Sequence, residues 1–361
     1  MASKETRDLA NRGIKLLEEA MERDFGLKPE LGAELEFGVY PKDKATFKGN
    51  AGNPLGLEYE GKKAGAEKLI FRDSPYISNV YKDGYYELVF HHNQHHGSAL
   101  VLARAIDAAK NYLSGRKWAG TPDKPSPYDD LIVSFEAHQP LSLPMHPFTS
   151  LQINISLCDK AGNNIFHHNT LHNCTPGLRA TEPDPLFNEL GVSMLQMQEE
   201  TLLLHAPYEA SYVRFTKLDI PSSPASIRLA KDSADNTSSL KYKKAIHPDS
   251  SEHLENRLAG SDADPSCVIL ATLAATYHAL KQGQGLVQTD GLFTLKNAPK
   301  LPKSLGLIPT HAQAIRNFKE GTLLRGVLNE VSGEEKLGER FCAAVEADLA
   351  QPAIEPEAYR R

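Results

Sequence analysis

Gly32-Ala-Glu-Leu-Glu-Phe-Gly-Val-Tyr40 alternates polar and apolar residues with the period of a β-strand. Successive strand residues point to opposite faces, so Glu34 and Glu36 project together while Ala33, Leu35 and Phe37 face the other way. At a rise of ~3.4 Å per residue the two carboxylates are rooted about 7 Å apart. That spacing suits two neighbouring hard cations, each taking one carboxylate.

The same division recurs along the chain. In Ser150–Cys158, Gln152, Asn154 and Ser156 share one face, and Leu151, Ile153, Ile155 and Leu157 the other. Glu255 and Arg257 share a face of a strand expected at Leu254–Leu258, as do Ser226 and Arg228 within Ala225–Leu229, and Tyr212 and Arg214 within Tyr208–Phe215. Glu87 is the lone carboxylate of the apolar, aromatic strand Tyr85–Phe90. The solvated side of an antiparallel sheet also alternates in this way. An idle face usually carries Lys, Thr and Ser, whereas these faces carry Glu, Gln, Asn and Arg, which suit metal, phosphate and carboxylate recognition. Periodicity alone leaves both readings open.

Helical periodicity frames these strands. Residues 6–24 form an amphipathic helix through Leu9, Leu16, Leu17, Ala20 and Met21, stopped by Gly26 and Pro29. A second helix covers 98–113. Asp184-Pro185 opens a third that runs to His205, and Asp264-Pro265 a buried one that reaches Leu280. Pro41 to Gly65 reads as loop or hairpin, residues 115–130 and 231–251 as loop, and the chain after Pro309 as helical. The sum is one mixed α+β domain.

Composition narrows the function classes. The 361 residues carry a net charge of −6 with no long basic run, which argues against nucleic acid. The four cysteines have no metal-type spacing and form no disulfide framework. The chain opens on a charged helix, and its longest apolar run, Cys267–Leu280, is too short for a bilayer. A cytoplasmic protein without membrane partners is the expectation. His91, His92, His95 and His96 lie between strand and helix, with no Cys or H-E-x-x-H spacing to make a transition-metal site. Met194 and Met197 read as packing residues.

The order of motifs resembles the glutamine synthetases. Gly32-Ala-Glu34-Leu-Glu36-Phe37 is similar to that family's G-x-E-x-E-F strand, and Gly84-Tyr-Tyr-Glu87 to its G-Q-x-E segment. Ser156-Leu-Cys-Asp-Lys-Ala-Gly-Asn-Asn-Ile-Phe166 resembles S-L-x-D-x-x-G-x-N-x-F. Ala206 to Arg214 resembles A-P-x-x-N-S-Y-x-R, and Ala225-Ser-Ile-Arg228 resembles A-S-I-R. Glu255 to Pro265 and Leu301-Pro-Lys-Ser-Leu305 complete the order, over about residues 25–340. The resemblance implies a curved antiparallel sheet with packed outer helices, of the glutamine synthetase/guanido kinase type. It implies a helix at 1–28 packed on a catalytic domain at 29–361. It also implies ATP and Mg²⁺ or Mn²⁺, with a glutamate γ-carboxylate activated as an acyl phosphate for ammonia or another amine. Glu34 and Glu255 would serve the nucleotide-side metal, and Glu36 and Glu87 the glutamate-side metal. Arg214 and Arg257 would clamp glutamate or its phosphate, Arg228 the ATP phosphates, and Ser156 and Asn154 would lie beside the nucleotide.

Three departures accompany the likeness. The family's H-x-H pair is Gln152-Ile-Asn154, and the carboxylate expected eight residues before Glu87 falls at Asn79, so amides replace metal ligands. Between Arg214 and Arg228 the family's flap glutamate is lacking, with Asp219 the nearest acid. One helix, in place of a β-grasp domain, precedes the Glu34 strand. The family domain helps close a neighbouring subunit's site, so a homo-oligomer other than the usual ring, or an impaired binding or regulatory subunit, is also consistent with the sequence.

Overall fold

The computed structural model describes residues 2–41, 75–81, 85–90, 98–114, 120–121, 124–125, 131–137, 148–166, 185–216, 223–230, 235–243, 252–289, 292–298, 300 and 302–351. The strands are β1 (Lys28–Pro41), β2 (Pro75–Tyr81), β3 (Tyr85–Phe90), β4 (Gly120–Thr121), β5 (Lys124–Pro125), β6 (Leu131–Ser134), β7 (Leu151–Cys158), β8 (Ser226–Ala230), β9 (Ser238–Lys243), β10 (His253–Asn256), β11 (Leu286–Thr289), β12 (Leu292–Leu295) and β13 (Ser304–Leu307). The helices are α1 (Lys4–Phe25), α2 (Ala99–Ser114), α3 (Pro185–His205), α4 (Pro265–Gln282), α5 (His311–Glu320), α6 (Leu323–Ser332) and α7 (Leu337–Ala350).

Among the described residues the main sheet has nine strands in the order β13-β8-β9-β10-β7-β1-β3-β2, with β6 paired to the far end of β1. Its pairings are antiparallel except β8 with β9, which run parallel. Leu31, Ala33, Leu35 and Phe37 of β1 and the odd-numbered residues of β7, with Leu240, Tyr242, Leu254, Ile227 and Leu229, form one core with α1, α2, α3 and α4. The even-numbered residues of β1 and β7 therefore stand on the side away from the helices.

The helices form where local chemistry directs. Ser3 caps α1 through the Thr6 N–H, and Gly26 ends it with φ +69°, a conformation that costs glycine little. Asp264 caps α4 and Pro265 takes its first turn. The α4 helix is buried on almost every side, as its apolar sequence requires. Met194 and Met197 lie wholly in the core.

Two buried polar devices join helices to the sheet. Glu200 of α3 accepts the Leu323 and Leu324 N–H groups at 2.9 and 2.8 Å, which closes the start of α6 from a distant part of the chain. The Glu200→Ala variant is expected to lose about 2 kcal/mol in denaturant unfolding, because two buried donors are left unmet.

The second device is a chain of side chains. His205 Nδ1 donates to Thr201 O, and its Nε2 accepts from Asn256, which also bonds Gln198 and Thr272. Burial pushes the His205 imidazole down to about 4, so it is neutral in the fold. An unfolded histidine binds its proton near 6.5, so protonation favours unfolding across that interval. Stability from this group is complete above about pH 6.5 and falls as pH drops towards 4, by on the order of 3 kcal/mol. Melting measured from pH 4 to 7 should show this slope in the wild type. The slope should flatten in His205→Gln.

Two expectations from the sequence are corrected. Tyr208–Phe215 is not a strand: Glu209–Thr216 is a 3₁₀ helix, so Tyr212 and Arg214 do not share a strand face. The stretch 231–251 is not all loop, since it contains β9, an interior strand of the sheet.

Candidate functional site

The register of the central strands brings distant carboxylates together. Glu36 on β1 lies opposite Glu87 on β3, and Glu34 lies opposite Gln152 on β7. Asn154 on β7 has Gly32 on one side and Glu255 of β10 on the other, and Glu255 in turn faces Lys241 of β9. Glu87, Glu36, Glu34, Gln152, Asn154 and Glu255 thus form one band across the helix-free side of four strands.

Two carboxylates of this band act on one another. Burial, then the neighbouring Glu255, pushes the Glu34 carboxyl up to about 7, with Glu36 adding to the rise. Burial, then Glu34, Glu36 and Glu255, holds Glu87 well above the usual carboxylate range. Buried like charges disfavour ionisation unless a positive charge stands among them.

The neighbours differ along the band. Glu36 accepts from the Ser150 N–H at 2.6 Å and from its hydroxyl, with the Gln152 amide at 3.4 Å. Glu255 is 1% exposed and lies between Lys243 Nζ at 2.7 Å and Arg257 Nε at 2.9 Å. Asn154 donates to Glu34 at 3.4 Å, while its buried Oδ1 has no donor.

On the β8–β10 side the front turns cationic. Arg228 pairs with Asp235 and donates to Ser238 and Thr237 at 3.0 and 3.1 Å, with its side chain 41% exposed. The hydrogen bonds from Thr237 and Ser238 overcome burial and hold Asp235 down at about 2. Lys241 is buried and donates to Asn236 Oδ1 at 2.8 Å; burial, then repulsion from Arg257, brings its ammonium down to about 8. Sequence reasoning missed Lys241 and Lys243, although the alternation of Leu240 and Tyr242 with the two lysines was their signal.

Other expected residues fall elsewhere. Arg214 is completely buried, and its guanidinium donates to the carbonyls of Ala259 at 2.8 Å, Arg257 at 3.1 Å and Leu258. It ties down the chain after β10 from beneath. Arg257 shares the face of Glu255 as expected, but its guanidinium is occupied by Glu255 and the Asn236 carbonyl. Ser156 is on the expected strand yet fully buried, with Glu30 as its register partner. Ser78 is the residue opposite Glu87, and Asn79 lies in a register shift of β2 with its side chain outside the described residues. Asp219 and the histidines at 91, 92, 95, 96, 167, 168 and 172 also lie outside them.

Whether these groups suit a divalent ion can be judged from their chemistry. Among the described residues no three His, Cys, Asp or Glu side chains are grouped as a metal ion would require. Magnesium keeps several waters and needs as few as one or two protein carboxylates beside substrate phosphates. Glu34, Glu36 and Glu87, with the undonated oxygen of Asn154, supply hard donors and excess negative charge of that kind. One or two of them are enough for such an ion beside nucleotide phosphates. Glu255, bracketed by two cations, does not suit one.

The site thus stands on a mixed sheet backed by helices, with its front divided between carboxylates and cations. The sequence model of the glutamine synthetase catalytic domain matches residues 138–360, more than half of the chain. The chain belongs to the glutamine synthetase family. That match begins beyond β1, so the Glu34 strand is placed by the fold. A crystal structure described as a novel glutamine synthase homolog is similar with a TM-score of 0.58 at 16% identity, covering 97% of this chain and 72% of that one. A GmaS/ADP complex, conformation 1, is similar with a TM-score of 0.57 at 16% identity, covering 96% and 75%. No curated protein sequence matches the chain. Among the described residues no helix is long and apolar enough to cross a membrane.

Proposed function

We propose that the chain is an ATP- and Mg²⁺-dependent carbon–nitrogen ligase. It would transfer the γ-phosphoryl group to a carboxylate, with glutamate the first candidate, for displacement by ammonia or another amine. The observation that carries this reading is the convergence of Glu34, Glu36 and Glu87 on one face, where burial and neighbouring carboxylates raise Glu34 and Glu87. Belonging to the family and likeness to an ADP complex support it.

In this reading one or two of Glu34, Glu36 and Glu87 would hold a magnesium ion beside the nucleotide phosphates, with Mn²⁺ as a substitute, and Asn154 and Gln152 are neutral neighbours. When bound, such an ion would supply positive charge against the nucleotide phosphates. Arg228, the most exposed cation of the β8–β10 side among the described residues, meets the nucleotide phosphates, with Asp235 fixing its fork. Arg257 meets the acceptor only by giving up part of its contact with Glu255, so its first role is to orient that carboxylate. Arg214 positions Arg257 by holding its carbonyl. Ser156, being buried, supports β7.

A second reading, a nucleotide-binding subunit without turnover, is favoured by one specific observation: Glu255 already has two cationic partners, so one of the expected ion ligands is spent. Phosphate release from ATP with Mg²⁺ and glutamate, across ammonia, hydroxylamine and a panel of primary amines, separates the two. The ligase reading predicts amine-dependent turnover with at least one acceptor. Tight Mg²⁺–ATP binding with no turnover across the panel would establish the second.

A further inference from the structure

Gln198 of α3 is buried behind the sheet and bonds Asn256 of β10 on one side and Ser239 of β9 on the other. Groups with only one possible role set the direction of each bond. The Thr272 hydroxyl donates to Val268 O at 2.9 Å, so its oxygen accepts from Asn256 at 3.2 Å. The Leu258 N–H donates to Asn256 Oδ1 at 3.3 Å. Asn256 therefore turns its amide hydrogens to Thr272 and His205, and its oxygen to Gln198 Nε2 at 3.1 Å. The carbonyl end of Gln198 then faces Ser239, whose hydroxyl donates to it at 2.7 Å. That leaves the Ser239 oxygen as an acceptor, and it takes the Arg228 N–H at 3.2 Å.

The last of these bonds replaces one that regular pairing would supply. The register of β8 on β9 shifts between Ser226 and Leu229, and Arg228 falls within the shift. Such an irregularity re-aims a side chain, and the backbone donor beside it needs another partner. The neighbouring Leu229 N–H points to the other strand, where it meets Lys303 O at 3.0 Å. Ser239 also accepts the Arg257 N–H on its carbonyl at 2.9 Å, so one residue holds the backbones of both front arginines.

We propose that Gln198 and Ser239 are positioning residues for nucleotide binding: they fix the Arg228 backbone at the register shift, so that its guanidinium, held by Asp235, is set to meet phosphate. This rests on the reading of Arg228 as a phosphate ligand given above. Both residues act through Arg228 from behind the sheet, and neither touches the nucleotide itself.

The test pairs hydrogen exchange at the Arg228 amide, measured against the Leu229 amide, with calorimetric titration of Mg²⁺–ATP, both on the full chain. In Ser239→Ala the Arg228 amide should exchange about tenfold faster relative to Leu229, and Mg²⁺–ATP affinity should fall about tenfold. Gln198→Met should move both readings in the same direction, and Ser239→Thr, which keeps the hydroxyl, should restore them. Thr272→Val removes a bond at the far end of the same chain, so it should lower the melting temperature and leave both readings at wild-type values. Thermal melts establish that each variant is folded, and Gln198→Met carries the test if Ser239→Ala is not. An unchanged exchange ratio in both variants would overturn the proposal. So would a faster ratio with unchanged affinity, if Arg228→Gln does weaken Mg²⁺–ATP. Wild-type affinity in Arg228→Gln would instead overturn the reading of Arg228 as a phosphate ligand, and the proposal with it.

Discussion

The Arg214→Ala variant is expected to unfold with a loss of about 4 kcal/mol, the largest stability effect of any single site substitution considered. The guanidinium is fully buried and donates to the carbonyls of Arg257, Leu258 and Ala259, where the chain leaves β10. Its removal strands these acceptors at roughly 1–3 kcal/mol each and opens a cavity beneath Phe215, partly offset by relaxation. Against a typical total of about 5–15 kcal/mol, the variant would be marginal at 37 °C. Arg214→Lys separates this role from substrate binding. A lysine presents one donor group in place of a planar fork, so most of the stability loss should persist in urea unfolding. If Arg214 instead clamped substrate, the lysine variant would unfold like wild type and show only a raised KM.

The second large effect has opposite signs for stability and for binding. With the ordinary carboxyl value near 4.5 in the unfolded chain and about 7 in the fold, Glu34 binds more protons folded than unfolded between these values. Stability without divalent ions therefore falls as pH rises through this window, by on the order of 3 kcal/mol from this group. Glu34→Gln removes the charge, so without divalent ions it should melt higher than wild type at pH 8 and about equally at pH 5. The same substitution deletes a ligand, so its Mg²⁺–ATP affinity and turnover should fall at least about 100-fold. A binding site that costs stability until its ligand arrives is a common outcome of selection for function. A melting temperature at pH 8 that is lowered by Glu34→Gln would show the carboxylate to be structurally satisfied without a cation. The pH slope of Glu34 runs against that of His205, and the variants separate them.

The legible parts of the molecule were those where one physical rule acted alone. Alternation in Gly32–Tyr40 and Ser150–Cys158 placed Glu34, Glu36, Gln152 and Asn154 on one face, because these strands bury one side on helices. Asp-Pro starts at 184 and 264 marked α3 and α4. The 3₁₀ segment at Glu209–Thr216 misled because Tyr212, Val213 and Phe215 favour strands by residue type. Its conformation is set by tertiary bonds, those of Arg214 and the Ser211 hydroxyl to Asp262 at 2.6 Å, which leave no local trace. The β9 strand was hidden because its polar residues sit in the interior of the sheet, with Lys241 and Lys243 turned towards the Glu255 side. Asn79 was placed by counting eight residues back from Glu87, and a count cannot register the shift in β2 that brings Ser78 opposite instead.

The measurement closest to the heart of the account is calorimetric titration of Mg²⁺–ATP into the wild type, Glu34→Gln and Glu87→Gln. Saturable binding to the wild type is expected, with a loss of at least about 100-fold in each variant and both variants folded. Equal affinity in all three proteins would mean that carboxylates brought together by β1 and β3 take no part in holding the nucleotide, and the site would lie elsewhere.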